Sequence, residues 1–90
     1  MGRRAVAVPV TTSAVVRDRQ SLLLGYSLSC VAGGTVTIYD NPSAASGTIL
    51  AIVTLAANGT VTQSISDGVS AATGIFFSAS AACTGSVWVG

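Results

Sequence analysis

The chain contains no histidine, no glutamate and no lysine, and only 8% of its 90 residues are charged. Enzymes that transfer protons need a side chain whose pKa lies near the working pH, and histidine most often fills that role. Asp40 and Asp67 stand in Asp-Asn-Pro and Asp-Gly sequences, where aspartate ordinarily caps a turn. No glycine-rich phosphate-binding spacing is present. We therefore predict that the protein is not an enzyme and takes neither a small-molecule substrate nor a cofactor.

Long apolar runs are also absent, although the mean hydropathy is +0.71. The longest run, residues 48–57, has ten residues, whereas a membrane-spanning helix needs about 20. The apolar stretch after Arg3 and Arg4 is shorter than the h-region of a signal peptide. Phosphate-binding surfaces use many lysines and arginines together, and this chain has four arginines in all. We expect neither a membrane nor a nucleic acid as partner.

Positive charge is confined to the first nineteen residues, at Arg3, Arg4, Arg17 and Arg19. Soluble domains carry about 25% charged residues, and surface charge keeps them from associating. The rest of the surface must be built from small polar and apolar groups, so we expect other subunits to cover it. We predict that residues 1–20 form an extended arm whose four arginines contact a partner, and that residues 21–90 form the folded domain. A homo-oligomer is expected, with a trimer favoured because a closed ring does not grow into fibres.

Apolar residues alternate with period two, which is typical of strands. Segments of this kind are predicted at residues 21–31, 35–40, 48–55, 60–66, 74–80 and 86–89, with extended chain at 5–10 and a short strand at 14–17. Gly33-Gly34 and Asn58-Gly59 favour hairpins between the segments that they join. Six to eight strands with regular turn signals predict an all-β fold, an antiparallel β-sandwich or jelly roll.

Cys30 and Cys83 are too few for a zinc site, which needs four ligands, so no metal is expected. Each cysteine precedes a turn that leads into a Gly-Thr-Val or Gly-Ser-Val strand, so the two can meet at one end of a sandwich. A disulfide between them would stabilise the fold by about 4 kcal/mol, whereas a protein assembled in a reducing cytosol usually keeps free thiols. The sequence leaves both states open.

Residues 22–90 resemble the small β-sandwich structural proteins of tailed-bacteriophage virions. The resemblance lies in Leu-Leu-Leu-Gly-Tyr-Ser-Leu-Ser at 22–29, Val-Thr-Ile-Tyr-Asp at 36–40, Ser-Gly-Thr at 46–48, Asn58-Gly59, Gly-Ile-Phe-Phe at 74–77 and Gly-Ser-Val-Trp-Val at 85–89. It implies a virion location, many copies per particle, and a head decoration or cement subunit that binds the major capsid protein or other virion subunits. The arginines and cysteines depart from the pattern, so the resemblance assigns them no role.

Two other functions stay open. A tail- or fibre-associated virion subunit has the same sequence features as a head protein. A secreted β-sandwich binding or adhesion module would use Trp88 and Tyr39 as an aromatic platform for a glycan, and it predicts processing near the N-terminus and an oxidised cysteine pair. We expect the aromatic residues to fill the core or an interface instead.

Overall fold

A computed structural model describes residues 6–90, with the backbone alone for Ser66 and Asp67. This part of the chain contains eight strands and no helix. The strands are β1 (Val6–Val10), β2 (Ser13–Arg17), β3 (Ser21–Cys30), β4 (Gly34–Asp40), β5 (Thr48–Leu55), β6 (Gly59–Ala71), β7 (Ile75–Ala79) and β8 (Thr84–Val89). The prediction of an all-β fold with six to eight strands is confirmed.

The strands pair antiparallel in a nested order, β1 with β8, β2 with β7, β3 with β6 and β4 with β5. Further pairing of β3 with β8 and of β4 with β7 completes two four-stranded sheets. The first sheet has the order β1-β8-β3-β6 and the second has the order β2-β7-β4-β5. An eight-stranded chain folded back on itself and rolled into two sheets in this way is a jelly roll.

Two predicted hairpins are wrong. We expected β3 to pair with β4 and β5 to pair with β6, but in each case the two strands lie in opposite sheets, and of the described strands only β4 and β5 form a hairpin of consecutive strands. Asn58 does adopt the positive φ expected of a turn, 60°, and its N–H donates to the Val31 carbonyl (2.8 Å). A turn reverses the chain but does not determine which sheet the next strand joins. That outcome depends on burial of the apolar inner faces of the two sheets against each other.

The predicted boundary between an arm and a domain at residue 20 is wrong for residues 6–17. β1 forms one edge of the first sheet and β2 one edge of the second, so both strands belong to the sandwich. Val10 and Val16 lie in the core at 3% and 7% exposure. The alternating valines in this segment supply an inward face. Burying that face lowers the free energy relative to an arm that extends into water. The short strand expected at residues 14–17 is confirmed.

The core lies between the two sheets, and its buried residues come from every strand except β5. In β4, Val36 and Ile38 are fully buried while their neighbours face outward, as the period-two pattern predicts. The largest fully buried side chains are Phe77, Leu23, Ile38, Ile75, Val36, Val87 and Val89. Because the inner faces take these residues, the outer faces of the sheets are left to meet solvent or a partner.

Candidate assembly surface

The outer face of the second sheet carries a continuous apolar row. Residues paired across antiparallel strands lie side by side on one face of a sheet. Val15 of β2 pairs with Phe76 of β7, Phe76 pairs with Tyr39 of β4, and Tyr39 pairs with Ile49 of β5. This row crosses all four strands, and Ile52 stands beside it in the next row. We call these five residues the apolar band.

The members of the band are open to solvent. Val15, Ile49 and Ile52 are 45%, 52% and 63% exposed, and Phe76 and Tyr39 are half-buried. Ile49 and Ile52 reach the same face because β5 contains a bulge. Ala51 and Ile49 pair with the consecutive residues Ile38 and Tyr39 of β4, which leaves Leu50 as an extra residue in β5. The neighbouring row consists of Ser13, Ser78, Thr37 and Ile52. The two rows therefore form a neutral surface with exposed apolar groups at its edge and aromatic rings at its centre.

Sequence reasoning missed this band. The Phe76-Phe77 pair was a usable signal, because in a strand two consecutive large residues cannot both face the core. Phe77 is fully buried, and Phe76 points to the outer face.

The outer face of the first sheet differs in chemistry. Ser27 pairs with Ser86 on one side and with Thr62 on the other, and the Ser27 and Thr62 hydroxyls lie 3.2 Å apart. Trp88 lies across Gly25, where an added Cβ would stand 2.6 Å from the indole Cε3. Of the aromatic residues expected to fill the core or an interface, Trp88 lies outside the core, because the missing side chain at Gly25 provides room for its ring on the outer face.

Trp88 and Tyr39 do not form one platform. Tyr39 belongs to the second sheet and Trp88 to the first, and each pairs with residues of its own outer face. The indole N–H of Trp88 donates to the Ser86 hydroxyl (3.3 Å). A flat aromatic surface that uses both rings for a glycan is therefore not present.

Two of the four arginines fall within the described residues. Arg17 is the last residue of β2 and is half-buried. Arg19 forms an ion pair with its neighbour Asp18 at 3.5 Å, with both side chains more than 70% exposed. Such a pair contributes little to stability, so Arg19 remains available to a partner. Arg3 and Arg4 lie outside the described residues, and the contact of all four arginines with a partner stays a prediction.

The two cysteines form a disulfide. Cys30 ends β3 and Cys83 immediately precedes β8, beyond the paired residues Ser29 and Thr84. Their Cα atoms are 4.2 Å apart, and both residues are buried, at 0% and 2% exposure. The bond ties neighbouring strands of the first sheet together across 53 residues of sequence. Within the described part of the chain, no three Cys, Asp, Glu or His residues gather into a metal-binding group.

Asp40 joins two parts of the fold. Its carboxylate accepts hydrogen bonds from the backbone N–H groups of Ala72 (3.1 Å) and Thr73 (2.9 Å) and from the Thr73 hydroxyl (3.0 Å). The local turn is capped instead by Asn41, whose Oδ1 accepts from Ser43 N (2.9 Å) and Ala44 N (2.8 Å). Asp40 thus links the end of β4 to the β6–β7 connection. The side chain of Asp67 lies outside the described residues.

These hydrogen bonds hold the pKa of Asp40 below its ordinary value of 3.8, with the Thr73 amide the largest cause and the Ala72 amide the next. A lowered pKa in the folded state adds stability that is present above the ordinary pKa and is lost as the pH falls through the lowered value. We expect Asp40→Asn to have a lower Tm than the wild type at neutral pH. As the pH falls from about 5 to about 2, the Tm of the variant should decrease less than that of the wild type. Calorimetry across this range measures both effects.

Asp18→Asn is the matched control, because Asp18 is 74% exposed and pairs with its sequence neighbour. It should reproduce the pH profile of the wild type. An Asp40→Asn protein with a wild-type profile would contradict the role assigned to Asp40.

Comparison with protein-family models, with curated proteins and with solved structures finds no match to this chain. Among the described residues, no helix is present that is long and apolar enough to span a bilayer.

Proposed function

We propose that this chain is a non-enzymatic structural subunit of a tailed-phage virion, bound to the head shell as a decoration or cement protein. The observation that carries the proposal is the apolar band on the outer face of the second sheet. A protein that works alone in water rarely keeps a contiguous apolar patch across a whole sheet face, and such a patch marks a site of protein contact. The jelly roll is itself used by viral capsid proteins, although a fold alone does not define a function.

The composition of the surface supports a permanent assembly. Serine, threonine, alanine and valine lose little side-chain entropy when a partner covers them. In the rows formed by the band and by Ser13, Ser78 and Thr37, no side chain is ionised, and the nearest charge along β2 is Arg17, at the end of the strand. We propose a homo-oligomer, with a trimer favoured, that contacts the major capsid protein or other virion subunits.

The disulfide is compatible with this location. Disulfides persist on virion surfaces as well as in secreted proteins, whereas they are rare in the cytosol. A subunit added to the outside of a shell would meet such conditions once the particle is released. The bridge would then form or persist in the mature particle.

The test is to purify particles from the lysate that produces this chain and to measure its copies per particle by quantitative mass spectrometry. Labelled antibody in electron micrographs then locates the chain on the particle. The proposal expects many copies distributed over the head. Label confined to the tail or fibres would favour the tail-associated alternative, and a chain absent from particles would contradict a virion function.

A secreted β-sandwich binding or adhesion module is the second candidate, and the Cys30–Cys83 disulfide is the observation that favours it. This alternative predicts that the mature chain lacks part of its N-terminal segment. Intact-mass spectrometry of the natural protein separates the two functions, because the virion subunit is expected to retain residues 1–20. Loss of residues that precede β1, which would keep both sheets complete, together with glycan binding in an array would establish the secreted module.

A further inference from the structure

We infer that the apolar band is covered by a second copy of this chain, an inference that rests on the proposed role as an assembly subunit. Three aliphatic side chains of the band, Val15, Ile49 and Ile52, are each at least 45% exposed in the single chain. Phe76 and Tyr39 lie between Val15 and Ile49 in the row. Buried aromatic residues surrounded by less critical contacts are the usual pattern of a strong protein–protein contact.

The area of the face is sufficient for a stable contact between copies. The molecule measures 37 × 28 × 17 Å. Stacked sheets lie about 10 Å apart, so the 17 Å dimension is the stacking direction and the other two describe the sheet faces. The outline of one face is thus at most about 1,000 Å², and a standard interface buries roughly 800 Å² of accessible surface per partner, so the contact would use most of the face. The sides that are 17 Å across offer less area.

The absence of charge on the band favours a copy of the same chain over a strongly acidic or basic partner. The band and the row of Ser13, Ser78, Thr37 and Ile52 contain no ionised side chain, and Arg17 at the end of β2 is the one charge beside Val15, so the face offers no cluster of charge for an acidic or basic partner to recognise. A neutral apolar surface requires a partner surface without charge, and a second copy of this nearly uncharged chain carries such a surface. The whole chain has a formal net charge of only +1, so repulsion between copies is weak.

The test compares two lysine variants of the full-length, oxidised protein by sedimentation velocity over a range of concentrations. Ile49→Lys/Ile52→Lys places two charges on the band at exposed positions. Val31→Lys is the control for an added lysine at an exposed apolar position, because Val31 is 73% exposed and lies in the β3–β4 connection, outside the band. The wild type and Val31→Lys are expected to be oligomeric, and the double variant is expected to have a dissociation constant raised by about a hundredfold or more.

Thermal unfolding of each variant shows whether it remains folded, and Ile52→Ser provides a milder change if the double variant does not fold. A monomeric wild type would overturn the inference, as would a band variant that associates normally or a Val31→Lys protein that dissociates equally. Binding of the same proteins to purified particles is scored separately. Band variants that are monomeric yet still bind particles would leave the proposed function standing and support a separate contact with the shell.

Discussion

Replacing Cys30 and Cys83 together with alanine is expected to lower Tm by about 20 °C. The bond closes a segment with a sequence separation of 53, and the loss of loop entropy from the unfolded chain corresponds to about 4 kcal/mol. In a domain of this size each kcal/mol moves Tm by about 4–8 °C. Alanine is preferred to serine because both positions are buried, and a serine there would hold its hydroxyl away from solvent.

The position of the disulfide adds to the expected effect. The backbone N–H of Cys83 donates to the Thr11 carbonyl (3.2 Å), so the bond also positions the β1–β2 connection. Differential scanning calorimetry of the wild type and the double variant measures the change. Wild-type protein unfolded, reduced and refolded in reductant should show a similar loss, whereas reductant should not affect the variant. A reduced wild type that keeps its original Tm would contradict a stabilising bridge.

The parts of the fold that sequence predicts are those set by neighbouring residues. The alternation along β4 predicts that Val36 and Ile38 share one face, and both are fully buried, because period two is a property of the single strand. Asn58 was correctly assigned to a turn with positive φ for the same reason. These features need no knowledge of which strands become neighbours. In β3 the alternation predicts one face for Leu22, Leu24 and Leu28, but a bulge between Leu23 and Gly25 puts Leu23 in the core in place of Leu22 and Leu24.

The parts that sequence did not predict depend on pairing between distant segments. Turn residues reverse the chain, but the sheet that the next strand joins depends on how all eight strands bury their inner faces, so the β3–β4 and β5–β6 hairpins were wrong. The apolar band needs three separate pairings to bring Val15 beside Phe76, Tyr39 and Ile49. The cysteines were placed at one end of the sandwich, but only the adjacency of β3 and β8 decides in favour of the bond.

Deletion of residues 2–19 is expected to abolish cooperative folding. A separate arm at residues 1–20, as predicted from the sequence, would leave the sandwich folded after this deletion, but β1 and β2 contribute one strand to each sheet. Their loss turns β8 and β7 into edge strands and removes Val10 and Val16 from the core. Burial of a valine stabilises by about 1.5–3 kcal/mol, and the backbone pairing of two strands is lost as well. A 90-residue domain has only about 5–13 kcal/mol of total stability.

Two matched variants separate folding from partner binding. Deletion of residues 2–5 removes Arg3 and Arg4 while keeping both strands, and Arg17→Ser/Arg19→Ser removes the other two charges without shortening the chain. Both variants are expected to change the free energy of unfolding by no more than about 0.5 kcal/mol, as ordinary surface substitutions do. Circular dichroism and calorimetry measure folding, and occupancy on particles measures the arginine contact. A 2–19 deletion that unfolds with the wild-type Tm would restore the boundary at residue 20, because β1 and β2 would then contribute nothing to the stability of the sandwich.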